Sequence, residues 1–275
     1  MIGSGLCGLT AAIRLAEAGI AVTVFEAAPK AGGRTRSFYD ETSSELCDNG
    51  PHLLVGAYRA TEQLLHDCGA EHAIQWQRSL QLPLWDQTRG LFALSPKPWL
   101  PLALALPLAV LTMPGPGLTS AFAMLRIGLS MSDKMADDIS VASWLQQKRI
   151  PEALIRDMLE PLCLGAMNES IATAPAASFL EVLKQSFASH ETARLGWFDA
   201  SMDEALIAPL LKRAERLGVK LHTSRLIRAI DTTGGCVIED EPFDRIILAL
   251  PAYASDRVLG HENEPATEMI TNLHL

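Results

Sequence analysis

Three glycines, Gly3, Gly5 and Gly8, open the chain in the string Gly3-Ser4-Gly5-Leu6-Cys7-Gly8. The spacing G-x-G-x-x-G suits a backbone turn that closes on a phosphate. The first glycine permits a tight turn, the second lets the backbone approach a pyrophosphate, and the third lets helix and strand pack closely. Eighteen residues after Gly8 stands Glu26, at the end of a short apolar run. A carboxylate there accepts hydrogen bonds from ribose hydroxyls and repels a 2′-phosphate, which argues against NADP. A glycine-rich turn without a ligand has the same local composition, so the surrounding elements must separate the two.

Those elements are legible. Leu6, Leu9, Ala12, Ile13 and Ala16 are apolar at helical spacing, and Gly19 stands where a helix C-terminus favours positive φ. Ala21 to Phe25 is a short run containing two valines and a threonine, the composition of a buried parallel strand. The loop therefore sits between a strand position and a helix N-terminus, whose free N–H groups and positive dipole end attract phosphate.

The next residues, Ala31-Gly32-Gly33-Arg34-Thr35, resemble the turn that lies beside the FAD diphosphate in the FAD-dependent amine oxidase and phytoene desaturase superfamily. By that resemblance the cofactor is FAD, and Gly3, Ser4, Gly5, Leu6, Gly8, Glu26, Gly33 and Arg34 hold it. Two glycines allow close approach and a guanidinium suits phosphate oxygens; read alone, Arg34 is equally a solvated loop cation.

A more particular stretch is Asp48-Asn49-Gly50-Pro51-His52-Leu53-Leu54-Val55-Gly56-Ala57-Tyr58-Arg59. It resembles a segment of the hydroxysqualene dehydroxylases, the squalene-associated FAD enzymes of hopanoid-producing bacteria. The strings "ISVASWL" at 139–145 and "LEPLCLGAMNES" at 159–170 are similar to the same family. The resemblance implies that Gly50, Pro51, His52 and Leu53 pass beside the isoalloxazine ring, and that Ile227 meets adenine through its backbone. It also implies reductive removal of the hydroxyl of hydroxysqualene, giving squalene and water. His52 is the one candidate catalytic residue, either donating a hydrogen bond to the flavin or protonating the leaving hydroxyl, a role histidine often takes; fixing the loop through a backbone bond is its other reading. For Ile227 the other reading is an ordinary buried strand position.

Composition bounds the rest. The chain has 275 residues, 48% apolar and 20% charged, with net charge −9. This is a globular composition, and the acidity disfavours nucleic acid. Five scattered cysteines without C-x-x-C spacing suit a reducing compartment and hold no metal. Neither a signal peptide nor an apolar run of about 20 residues is present. The expected location is the cytoplasm, with peripheral contact at the inner face of a membrane open. The longest apolar run, Trp99 to Met113, is broken by Pro101 and Pro107. The tract 99–131 reads as a core segment, the mouth of an apolar tunnel, or a surface lying on a membrane.

The fold expected is α/β: a Rossmann-like FAD-binding domain, split in sequence, with an inserted, mainly helical substrate domain. Residues 1–75 and 203–255 are assigned to the first, 76–202 and 256–275 to the second. Helices are expected near 58–68, 141–148, 151–162, 176–189 and 204–217. Strands are expected at 219–222, 226–230, 236–239 and 244–250, with a turn at Thr233-Gly234-Gly235. The family's C-terminal Gly-Asp motif has no counterpart after Pro251, so the chain reads as a shortened relative. An apolar C30 isoprenoid is the expected substrate. Amine oxidation, carotenoid-type desaturation, and a non-catalytic FAD-binding relative stay open.

Overall fold

A computed structural model describes residues 1–50, 52–131, 139–231, 236–238 and 241–261. Pro51, the turn at Thr233-Gly234-Gly235 and the segment 262–275 lie outside the described residues. The chain divides into two compact units. The first comprises Met1–His52, Ala60–Gln75 and Phe198–Leu275, and the second Leu53–Arg59 and Trp76–Trp197.

In the first unit, strand β1 (Thr23–Phe25) pairs in parallel with β2 (Lys220–His222). Ile2 forms parallel bridges to Phe25 on one side and Leu248 on the other. The sheet thus draws on segments nearly two hundred residues apart, which is what a parallel ladder with long crossovers requires. Side chains alternate across it. Met1 and Val24 cluster with Ala12 and Val22, whereas Ile2 and Phe25 cluster with Ile227, Ile238 and Val258. The period-2 geometry of the strand makes that division. Helix α1 (Leu6–Glu17) buries Gly8, Leu9, Ala12 and Ile13. A second helical segment, a π-turn at Asp203–Ile207 followed by α-helix Ala208–Arg216, packs beside it, and Arg213 reaches Glu17 at 2.9 Å.

Two expected strands are not regular strands. Residues 226–230 form no ladder; Leu226 is exposed, while Ile227 is buried in the core and Asp231 alone bridges Val237. Residues 244–250 touch the sheet only where Leu248 faces Ile2, and Ile247 is exposed. Apolar content marked both runs as strands, but a strand needs a hydrogen-bonding neighbour along its length, and composition does not report one. Cys236–Ile238 pairs instead with Glu241–Phe243, antiparallel.

The second unit is mainly helical around an apolar core that includes Trp144, Phe179, Leu94, Val110, Ile127 and Leu159. A β-hairpin, Leu82–Asp86 with Gly90–Leu94, places Trp85 opposite Leu91. The tract 99–131 becomes two helices, Leu102–Thr112 and Gly117–Ser130, the first running through Pro107. Ser140 caps Val141–Gln147, accepting from the Ser143 N–H at 3.3 Å, and Ala176–Ser186 forms as expected. The helix after Pro151 contains a π-turn at Ile155–Leu159 and runs on to Met167. Leu54 and Val55 pair with Gly196 and Leu195. Hence Leu53–Arg59, assigned from sequence to the first domain, packs within the second unit. Ala252–Leu259 packs within the first, although residues from 256 onward were assigned to the second.

Candidate functional site

The glycine loop is built in three different ways by its three glycines. Gly3 has φ +99°, and a Cβ there would run into the Ala249 carbonyl oxygen. A Cβ on Gly8 would strike the Gly3 carbonyl oxygen. These two glycines are demanded by packing within the protein. Gly5 differs: a Cβ there would meet nothing nearer than the Gly33 Cα at 4.0 Å. Its missing side chain opens space on the outside of the loop.

Gly32 and Gly33 close the same surface. Gly5 bridges Gly32, and the Gly32 N–H donates to the Ser4 carbonyl at 2.9 Å. Both glycines have positive φ, +115° and +62°. A Cβ on Gly33 would sit 3.1 Å from the Gly5 Cα. Arg34 follows, exposed. The first turn of α1 carries no side-chain cap and no acidic residue, so its N–H groups and dipole end remain available to an anion. Cys7 is exposed on that turn.

Glu26 is the hub of the cradle. Its Oε2 accepts from the Ser4 N–H at 2.9 Å and the Ser4 hydroxyl at 2.6 Å, and Oε1 accepts from the Ala28 N–H at 2.8 Å. Each carboxylate oxygen has capacity for about two acceptor contacts, so Oε1 retains room for a ligand hydroxyl. An open glycine edge, an uncapped helix end and an acceptor at the strand terminus together fit a dinucleotide with a free ribose 2′-hydroxyl.

The Asp48-Asn49-Gly50 segment is anchored to this cradle within the first unit. Asn49 Nδ2 donates to the Arg34 carbonyl at 3.0 Å, and its N–H donates to the Arg36 carbonyl at 2.9 Å. Asp48 Oδ1 accepts from the Ser37 hydroxyl at 2.5 Å and the Met202 N–H at 3.0 Å. Asp203 and Ser37 exchange bonds in turn, each backbone N–H donating to the other's side chain at 3.1 Å. Sequence reading missed this lock. Asp48 and Asn49 were its only signal, since Ser37 and Asp203 lie 166 residues apart.

The structure therefore gathers Gly3, Ser4, Gly5, Leu6, Gly8, Glu26, Gly33 and Arg34, with half-buried Gly50 on the segment tied to Arg34. His52 is exposed. Leu53 is exposed too and belongs to the second unit. Ile227 is 4% exposed, its side chain packed in the core beside Ile2 and Phe25.

Within the second unit lies an apolar cavity of about 470 Å³. Leu53, Val55, Ala57 and Tyr58 form one wall, Leu80, Leu82, Leu84 and Leu94 another, and Met158, Leu162, Val182 and Phe187 a third. Its uncharged polar groups are Tyr58, Gln185 and Ser186. The one charged lining residue, Asp157, is already engaged. It pairs with Arg89 at 2.6 Å and Arg156 at 2.7 Å. Burial by itself would raise the Asp157 carboxyl, but the two guanidiniums overcome it and hold the group at about 2. The π-turn at Ile155–Leu159 carries Asp157 and Met158 into the wall, a backbone irregularity frequent at functional sites. None of these lining residues after Tyr58 was legible as a site in the sequence, because they come from five separate segments.

Comparison with known proteins bears on both units. The family model described as flavin containing amine oxidoreductase matches residues 6–275. A hydroxysqualene dehydroxylase of Zymomonas mobilis is 26% identical over the whole of this chain and 67% of its own length. That of Sinorhizobium fredii is 25% identical over the whole chain and 66% of its own. The chain thus spans about two thirds of these relatives. Among solved structures, an oxidoreductase from Methanosarcina mazei superposes with a TM-score of 0.70 at 20% identity, covering 96% of this chain and 61% of that one. That likeness establishes the α/β fold.

Proposed function

The chain belongs to the flavin containing amine oxidoreductase family, and on that premise we propose that it is the FAD-binding and substrate-enclosing part of an oxidoreductase acting on an apolar isoprenoid. The reaction favoured is reductive dehydroxylation of hydroxysqualene to squalene. One observation carries the substrate class: the cavity of about 470 Å³, walled by hydrocarbon side chains and without a free charge. Its size falls within the roughly 300–1,000 Å³ range of small-molecule sites. A cationic amine would require an available carboxylate or an aromatic cage. Asp157 is committed to two arginines, so hydrocarbon fits better than amine.

When bound, reduced FAD supplies a hydride to the carbon that loses the hydroxyl, and the hydroxyl departs with a proton as water. The protein's part is to bind, orient and dry. Glu26 accepts from the adenosine ribose while fixing Ser4. Gly5 and Gly33 leave room for the diphosphate, and Arg34 offers a guanidinium to it. Gly50, which the resemblance places beside the flavin, and Leu53, Val55 and Tyr58, which line the cavity, lie within ten residues of each other in the chain. His52 is the candidate for the proton donor, and the donor itself is left open. The leucine-rich walls exclude water, which keeps the departing hydroxyl from being replaced by solvent. Peripheral contact with a membrane, where such a substrate dissolves, belongs to the same reading.

The test is anaerobic single turnover by the full-length, FAD-loaded protein with pre-reduced flavin and hydroxysqualene, with squalene quantified by mass spectrometry. Squalene formed in proportion to flavin oxidised is the expected outcome. A loaded protein that makes none, yet oxidises an amine or desaturates a carotenoid precursor, overturns the reading.

A further inference from the structure

The helices Leu102–Thr112 and Gly117–Ser130 are apolar on both sides. Leu102, Leu106 and Val110 of the first are buried in the core, as are Ala123, Met124 and Ile127 of the second. A helix that covers a core from water ordinarily turns a polar face outward. Here the outward positions of the first helix are Leu104, Leu108 and Leu111, exposed at 55%, 40% and 38%. On the second they are Leu118, Phe122, Leu125 and Leu129, at i, i+4, i+7 and i+11, with Leu129 82% exposed. Large apolar side chains in such a continuous row mark an interaction surface, unlike scattered single exposures.

Charge selects the occupant. Between Ser95 and Met131 the only charged residues are Lys97 and Arg126, both cationic, in a chain of net charge −9. Arg126 lies against the carbonyls of Lys148 and Arg149. Trp99, 75% exposed, stands at the entry to the first helix, the residue type favoured at the headgroup level of bilayers. The hairpin also exposes Trp85 and Leu91, and Arg89 ties it to the inter-helix loop by donating to the Pro114 carbonyl at 2.8 Å. At 1.5 Å per residue the two helices are roughly 16 and 21 Å long, short of the ~30 Å hydrocarbon core. No helix among the described residues is long and apolar enough to cross a membrane.

We propose that this helical pair lies on an anionic lipid surface, with Leu104, Leu108, Phe122 and Leu129 sunk into the acyl boundary and Lys97 and Arg126 at the headgroups. The proposal names the surface for the membrane contact included in the reading above, and its test reads lipid binding rather than turnover, so it can fail while that reaction stands. Apolar insertion with cationic attraction is the energetic pattern of interfacial helices.

The experiment is vesicle flotation of the 275-residue chain, with vesicles of phosphatidylcholine alone and with about 30% phosphatidylglycerol, an anionic fraction that attracts nearby cations. The chain should float with the anionic vesicles, less so at high salt, with a blue shift of tryptophan emission. Phe122→Ser and Leu129→Ser should each lower the partition coefficient about tenfold or more, because each withdraws one large apolar side chain. Both positions face outward, so melting temperature should be unchanged, and it is measured alongside. A wild-type chain that stays in the aqueous fraction, or variants that float equally well, would overturn the proposal. So would a dimer in sedimentation equilibrium that Phe122→Ser dissociates without any flotation, since the face would then belong to a second copy.

Discussion

One carboxylate oxygen of Glu26 accepts both hydrogen bonds that Ser4 can donate, the N–H at 2.9 Å and the hydroxyl at 2.6 Å. The first residue after β1 thus fixes the second residue of the glycine loop. Through Ser4 it also orients the carbonyl that receives the Gly32 N–H. One acidic side chain aligns both strips of the cradle.

Replacing Glu26 with alanine removes these charged bonds and the acceptor proposed for the ribose. Hydrogen bonds to charged groups contribute about 1.5–3 kcal/mol, equivalent to roughly a 10- to 150-fold loss of FAD affinity. Titration of apo-protein with FAD, followed by flavin fluorescence, measures it. Unchanged affinity would remove Glu26 from the site.

The three glycines should separate in their effects. Gly8→Ala sets a methyl group against the Gly3 carbonyl, between two backbone elements that cannot yield cheaply. Overpacking of this kind costs about 1–3 kcal/mol, so the melting temperature should fall. Gly5→Ala meets only the Gly33 Cα at 4.0 Å; the fold should persist while FAD binding weakens. A Gly5→Ala protein that binds FAD normally would show that the loop edge is not the diphosphate site.

Arg89→Met leaves buried Asp157 with Arg156 alone, and breaking a buried pair costs about 3–5 kcal/mol. Urea unfolding at neutral pH should show the loss, toward the lower figure because Arg156 persists. The Asp157 carboxyl is held below its ordinary value of 3.8, at about 2 in the folded chain. A depressed carboxylate stabilises above its unfolded value and loses that contribution as pH falls through the folded one. The stability gap between wild type and Arg89→Met should therefore narrow as pH falls from about 3.8 toward 2. A gap that is constant over this window would place the effect of Arg89 elsewhere, in its contact with the Phe92 ring.

Short-range features were legible from the amino-acid order. The glycine spacing, the apolar period of α1, the run ending at Phe25 and the Ser140 cap each depend on residues within one or two turns of each other. Local geometry is a local property, so such signals survive without a structure. The same reading expects strands at 226–230, which forms no ladder, and at 244–250, which pairs only where Leu248 bridges Ile2. Partnering across a sheet depends on segments brought from elsewhere, and no local pattern encodes it.

The sequence by itself determined that a glycine loop, a helix and an acidic strand end lie together, because their spacing along one short segment leaves little geometric choice. Tertiary structure alone decided what surrounds it. Ser37, Asp48 and Asp203 lock together across 166 residues. Ile227 turns its side chain into the core. Tyr58, Asp157 and Phe187 converge on one cavity from distant helices, strands and loops. The tract 99–131, open in sequence between core and surface, proved to be both, one helical stripe inside and the other outside. Which stripe faces the core is set by the volume the neighbouring helices leave to fill, and volume is a property of the packed chain.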